Sequence, residues 1–272
     1  VRESKYSEAT FVRGGLKDQN KGSCQNEPDG TFVRFVPDHK IFKKALFLDE
    51  IIDKRLKHYA YLNSGLRLSY NGKKYYSRKG LLDLIGEEIG DQAIYPPVYF
   101  ATKTLEFSFT HSNSRSGETF FSFVNGQFTS DGGTHLGAYR EGLLKAVNEY
   151  TKGKFDGDDV RESMVGAISI RLKDPVFESQ TKNKLGNTEI RSELVTQVRE
   201  EVLHYLHRNK EIAQQIVSKV EDTKQLRKEL QAVKKMARDR SKAVRLRIPQ
   251  LKDCKLHLDK KKGKGEDTMV FI

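Results

Sequence analysis

A chain of 272 residues with 36% apolar content is long enough to bury one full core and pieces of others. No run approaches the roughly 18 apolar residues of a membrane span, no signal segment opens the chain, and Cys24 and Cys254 lack metal-ligand spacing, so the expectation is a soluble cytoplasmic protein without a disulfide framework or zinc site. The net charge of +12 is confined: residues 224–264 hold 16 Lys/Arg against four acids, while the rest balances at 33 against 33. A neutral body with a basic arm suits a polyanion, nucleic acid first, unless the arm is only a solvated helix face.

Residues 1–38 are polar and turn-rich, with Gly14-Gly15 and Pro28-Asp29-Gly30, and then alternate over Thr31–Phe35, which predicts a strand stopped by Pro37. The spacing of Leu48, Ile51, Ile52, Leu56, Tyr59 and Ala60 predicts a helix, followed by a strand over 66–70 and a short helix over 79–89. Two Phe-rich runs, 105–110 and 119–124, separated by a polar turn at 113–117, predict a β-hairpin. A helix through Tyr150 follows Gly132-Gly133-Thr134-His135, then a short helix over 158–164 and a strand over 165–172. Beyond Gly186-Asn187, apolar residues recur at helical spacing in two long stretches broken near Asn209. Strands and helices mix, so the fold class is α+β. Both ends read as those of a fragment, Val1 lacking an initiator and Thr268–Ile272 closing on a strand-like run.

The loop Asp174–Asn187 carries the chemistry. Gln180 and Lys182 stand two apart before a helix, with Asn187 or Thr188 as expected N-cap and Glu189 in the first turn. A lysine, an amide and the free N–H groups of a helix start can together hold a phosphate; the alternative is an exposed lysine in a polar loop. No G-x-x-x-x-G-K-[ST] is present, so any nucleotide pocket touched by Lys182 lies outside the chain. His135 follows a glycine pair and can face an anion or simply pack. His204 and His207 lack a third ligand, and Asp158-Asp159 suit the N-terminal turn of a helix. Lys234, Lys235, Arg238, Lys242 and Arg245 fall three or four apart and line a stripe that would bind phosphates without reading bases.

These residues resemble a family, the ATPase subunit of bacterial type IIA DNA topoisomerases, that is, gyrase B and its topoisomerase IV equivalent. The landmarks run in order: Gly30–Asp38, Leu62–Arg67, Phe123-Val124-Asn125, Gly132–His135, Asp159–Glu162, the specific Pro175–Asn187 segment with its Gln180-Thr181-Lys182, and Leu251–Cys254. The resemblance implies that 1–38 end a GHKL-type ATPase domain and that 39–208 form a transducer domain similar to ribosomal protein S5 domain 2. It implies further that 209–250 are a long basic helix and linker, and that 251–272 begin a TOPRIM domain. It carries Gln180, Thr181 and Lys182 over as contacts to the ATP γ-phosphate, and the basic stripe as a contact to double-stranded DNA. ATP with Mg2+ in the intact enzyme, homodimerisation on ATP binding, a DNA-cleaving A subunit and a nucleoid-associated location are implied too, with the fragment alone not catalytic. Val36, Gly126–Ser130, Pro249-Gln250-Leu251 and Thr268–Ile272 depart from the gyrase pattern and lean toward topoisomerase IV. A non-catalytic nucleic-acid-binding module with a basic arm is the competing class; other GHKL ATPases, of mismatch repair or chaperone type, lack the Gln-Thr-Lys context.

Overall fold

The computed structural model describes residues 1–43 and 46–243, with side chains to 238. Two units are distinguished, Val1–Ile52 and a second beginning at Asp53. In the first, β1 (Lys5–Val12) and β2 (Gly15–Ser23) form an antiparallel hairpin. Its two-residue turn has Arg13 at φ 52° and Gly14 at φ 80°, the pair of positive dihedrals that matches strand twist. The turn-rich composition of this stretch does not reveal the pair. The strand expected over Thr31–Phe35 is not formed: this run has no ladder partner among the described residues, and Phe32 and Phe35 are exposed. Alternation specifies which side chains share a face, but a strand also needs a neighbour to bond to.

The second unit is built on a five-stranded sheet of order β5-β6-β9-β7-β8. Helix α1 (Asp49–Leu62) runs into this unit, which continues with the small hairpin β3 (Leu68–Tyr70) and β4 (Lys73–Tyr75), then α2 (Leu81–Ile89). The sheet strands are β5 (Val98–Ala101), β6 (Leu105–His111), β7 (Thr119–Val124), β8 (Gln127–Phe128) and β9 (Met164–Ile170). Between β8 and β9 come α3 (Thr134–Thr151) and α4 (Gly157–Arg161); α5 (Arg191–Arg208) and α6 (Lys210–Ala243) follow.

The expected hairpin of β6 and β7 is corrected by this order. Strand β9 lies between them, antiparallel to β6 and parallel to β7. The reason is burial on both faces. Met164, Ile168 and Ile170 enter the core formed with α3, α5 and α6, while Val165 and Ala167 enter the opposite core with α1 and α2. A strand apolar on both sides gains most at the centre of a sheet covered on both sides. Gly166 is required there, since a Cβ would come within 2.4 Å of the Phe120 ring. The loop joining β6 to β7 spans the start of β9 and is pinned to it by Ser163 N–H donating to the Gly117 carbonyl at 2.8 Å.

Candidate functional site

The Gln-Thr-Lys segment is a closed loop with a buried base and an open tip. Its chain leaves β9 under the control of Asn125, a turn residue at φ 51°. The Asn125 side chain accepts from the Leu172 N–H and donates to the Leu172 carbonyl, both at 2.8 Å. A short neck then forms: Phe177 bridges Leu185, Glu178 N–H donates to the Lys184 carbonyl at 3.1 Å, and Gly186 N–H to the Val176 carbonyl at 2.8 Å. Lys184 and Glu178 add an ion pair across it at 2.9 Å.

Leu185 is buried and anchors the loop to Gly132-Gly133. Its N–H donates to the Gly132 carbonyl, and its own carbonyl accepts from Thr134 N–H, each at 3.1 Å. Gly133 sits at φ +125°, and a Cβ there would lie 2.4 Å from the Leu185 oxygen and 2.5 Å from its nitrogen. The glycine pair flagged in the sequence is therefore the seat of the loop, a role that no sequence signal announced.

At the tip, Ser179, Gln180, Thr181 and Lys182 are all exposed. Lys182 N–H closes a tight turn on the Ser179 carbonyl at 3.0 Å, and Lys182 takes φ 57°, a left-handed conformation that costs a non-glycine residue on the order of 1 kcal/mol or more. The Ser179 and Thr181 hydroxyls bond each other at 2.7 Å. Neither the Gln180 amide nor the Lys182 ammonium has a partner among the described residues. Two donors, one charged, are thus held at the end of a braced loop, an arrangement suited to an anion brought from outside.

The expected helix cap is corrected. Helix α5 starts at Arg191 with Ile190 in the cap position and no side-chain cap. Asn187 is buried and works inside the loop, accepting from Val176 N–H at 2.7 Å and donating to Glu189 at 2.6 Å. That amide bond holds the Glu189 carboxyl below its usual range. The first N–H groups of α5 therefore follow the closed neck and do not belong to the tip.

His135 is buried against Thr129 at 3.3 Å, and burial pushes its imidazole down to about 4, so it packs as a neutral ring. His204 is exposed, and His207 meets the Tyr150 ring edge-on at 5.1 Å. Among the described residues no group of three or more His, Cys, Asp or Glu could hold a metal ion, and no helix is long and apolar enough to cross a membrane. The sequence pattern suggests only a helix-dipole role for Asp159. In the structure its buried carboxylate takes Arg227 of α6, at 2.7 and 2.9 Å. Asp156 takes the same guanidinium at 2.6 Å, and Asp158 pairs instead with Arg161 at 2.9 Å.

Arg227 marks where α6 leaves the core. Ala213, Ile216, Val220 and Thr223 are buried before it, and at the same three- and four-residue spacing the stripe continues as Lys234 and Arg238, exposed. The face that packs on the body thus becomes basic beyond it, with Lys235 alongside. The Lys242 side chain and all of Arg245 lie outside the described residues.

Residues 73–236 match the family model described as DNA gyrase B. The chain is 44% identical, over its whole length, to the B subunit of DNA topoisomerase 4 from Borreliella burgdorferi, of which it spans 45%. Against the DNA gyrase B subunit of the same organism the identity is 28%, over 93% of this chain and 44% of that protein. The DNA gyrase B subunit of Thermotoga maritima is 32% identical over 93% of this chain and 44% of its own. Among solved structures, the 43K ATPase domain of Thermus thermophilus gyrase B, in complex with an aminocoumarin, superposes with a TM-score of 0.67 and 25% identity, covering 86% of this chain and 69% of that one. The chain spans less than half the length of these curated relatives, yet the match covers most of the sheet unit and the loop, and the chain belongs to the DNA gyrase B family.

Proposed function

We propose that this chain is the transducer segment of the ATPase (B) component of an ATP-dependent type IIA DNA topoisomerase. Gln180 and Lys182, with the Thr181 backbone between them, contact the γ-phosphate of an ATP held elsewhere in the intact protein. The sheet unit, similar to ribosomal protein S5 domain 2, passes ATP-driven closure of two copies toward the DNA-handling part of the enzyme. The observation that carries this is the Lys182 tip: an ammonium in a left-handed turn beside an amide, both without a partner among the described residues, on a loop whose base is tied to the core.

A lysine there neutralises charge that builds on a terminal phosphate during transfer, while the Gln180 amide fixes the same group or the attacking water. The donor set fits a phosphate. ATP with Mg2+ supplies the phosphoryl group, its pocket and metal ligands lying outside this chain. The chain boundaries follow the same reading: 1–38 end the ATPase domain, 39–208 form the transducer, 209–250 a basic linker and 251–272 the start of a TOPRIM domain. A DNA-cleaving A subunit and duplex DNA are the partners, with Lys234, Lys235, Arg238, Lys242 and Arg245 toward the duplex. The higher identity to the topoisomerase 4 protein than to the gyrase protein of one organism supports topoisomerase IV over gyrase.

The test is DNA-stimulated ATP turnover by the intact protein with and without Lys182→Ala. Loss of about a hundredfold or more in turnover, with nucleotide binding largely kept, is expected of a group acting on developing charge. Unchanged turnover returns Lys182 to an exposed loop residue and favours the second reading, a non-catalytic nucleic-acid-binding module, which the basic continuation of α6 also supports.

A further inference from the structure

Beyond the stripe that faces the body, α6 carries a second stripe that is exposed and that no other element among the described residues covers. Leu226, Leu230 and Val233 are 56%, 51% and 62% exposed, and Ala237 follows four residues on, also exposed. The intervals of four, three and four are those of a heptad seam, a stripe straight enough for one partner helix. Leu226 and Arg227 are neighbours in sequence and so point about 100° apart. Since Arg227 faces the body, the seam lies roughly a quarter turn away from it.

The charges beside the seam decide what covers it. With Leu226 and Val233 at d and Leu230 and Ala237 at a, the e positions are Arg227 and Lys234, and the g positions include Asp222 and Glu229. In a parallel two-stranded coil a g residue meets the e residue five positions on in the other chain. Glu229 then meets Lys234 of a second copy, and Asp222 meets Arg227, opposite signs both times and each pair made twice by symmetry. An antiparallel arrangement sets e against e and g against g, like charges throughout. Glu229 is held only by the Gln225 amide of its own helix at 2.7 Å, and Lys234 has no ion pair among the described residues. Arg227 is already committed to Asp159 and Asp156, so Glu229 with Lys234 sets the register.

We infer that the exposed seam of α6 is a contact between two copies of this chain, a short parallel coiled coil through Leu226, Leu230, Val233 and Ala237. Two heptads bury less than a stable interface requires, so the contact is weak and concentration-dependent.

The whole 272-residue chain provides the test, with Cys24→Ser and Cys254→Ser as background. Under mild oxidation Leu230→Cys forms a covalent dimer, whereas Lys228→Cys, on the opposite side of the helix, does not. Glu229→Lys turns two attractions into repulsions and lowers that dimer yield about tenfold, and adding Lys234→Glu restores it. Equal yields from the seam and opposite-side cysteines, no dimer at any concentration, or indifference to Glu229→Lys each overturn the inference. Circular dichroism of each variant confirms the fold; Lys228, Glu229, Leu230 and Lys234 are all exposed. No nucleotide or DNA enters this experiment, so its failure leaves the phosphate-contact reading of Lys182 standing, and the reverse.

Discussion

Arg227 holds Asp159 with both arms of its guanidinium, at 2.7 and 2.9 Å, joining residues 68 positions apart in sequence. Asp159 is buried, and its second oxygen also accepts from the Asp156 N–H at 3.0 Å, so one carboxylate starts α4 and fixes α6 to it. A bidentate pair resists both sliding and rotation of the helix, which a point charge does not. The pair thus sits where α6 passes from the core into its exposed half.

Removal of one partner leaves the other charged and poorly solvated. Arg227→Ala is therefore expected to lower the urea midpoint several-fold more than Lys228→Ala, its exposed neighbour, and to speed amide exchange in α6 from about residue 223 onward. Arg227→Lys keeps the charge but loses the fork, and should recover only part of the loss. Equal effects of the 227 and 228 alanine variants would show that the pair adds nothing to the joint.

Two glycines give opposite predictions. At Gly133 a methyl group meets backbone atoms of Leu185 on two sides and cannot displace them cheaply, so Gly133→Ala should cost on the order of 2 kcal/mol or more and expose amides of 176–186 to exchange. Gly86 lies inside α2, and a methyl group placed there meets nothing within 4 Å, so Gly86→Ala should gain about 0.5–1 kcal/mol. Chemical unfolding of both variants checks the pair; a stable Gly133→Ala with an unchanged loop would mean the seat is looser than its geometry.

The helices and strands of the sheet unit were legible because each carries its own signal: α1, α2, α3, α5 and α6 repeat near 3.6, β6 alternates, and β7 and β9 are short apolar runs. Their arrangement was not. The placing of β9 between β6 and β7 depends on how apolar it is on both faces relative to strands distant in sequence, which a local hairpin signal does not weigh. The β1–β2 hairpin was hidden by polar strands without an apolar face. In the site, Gln180 and Lys182 were visible as residue types, but their bracing was not. Gly133 and Leu185 stand 52 positions apart, and only the fold shows that one is the floor for the other. Asn187 looked like a cap because caps and loop-closing amides use the same chemistry.

The basic continuation of α6 gives a salt-dependent prediction. Each phosphate contact removed should reduce the slope of log K against log salt by about 0.9 for duplex DNA. Replacing Lys234, Lys235 and Arg238 together by alanine is expected to reduce the slope for this chain by about 2 to 3 and to weaken all duplexes alike, whatever their sequence. Fluorescence anisotropy across a salt series measures it; an unchanged slope would make the stripe a solvated helix face.

Three buried histidines set a pH dependence of stability. Burial pushes His58, His111 and His135 each down to about 4. His111 shows how a neutral ring is accommodated: Nε2–H donates to the Val160 carbonyl at 2.8 Å, and Nδ1 takes the Tyr95 hydroxyl. Unfolded, each imidazole titrates near 6.5, so between there and 4 the unfolded chain binds the extra protons. Their stabilising effect is complete above about 6.5 and is lost as pH falls toward 4, at up to about 1.4 kcal/mol per pH unit for each histidine once its unfolded form is fully charged. Urea unfolding at intervals from pH 7 to 5 should show this decline, and His111→Gln, which keeps a donor for Val160, should remove one proton from its slope. A wild-type slope near zero across that range would mean the rings are charged in the folded protein, against the packing around them.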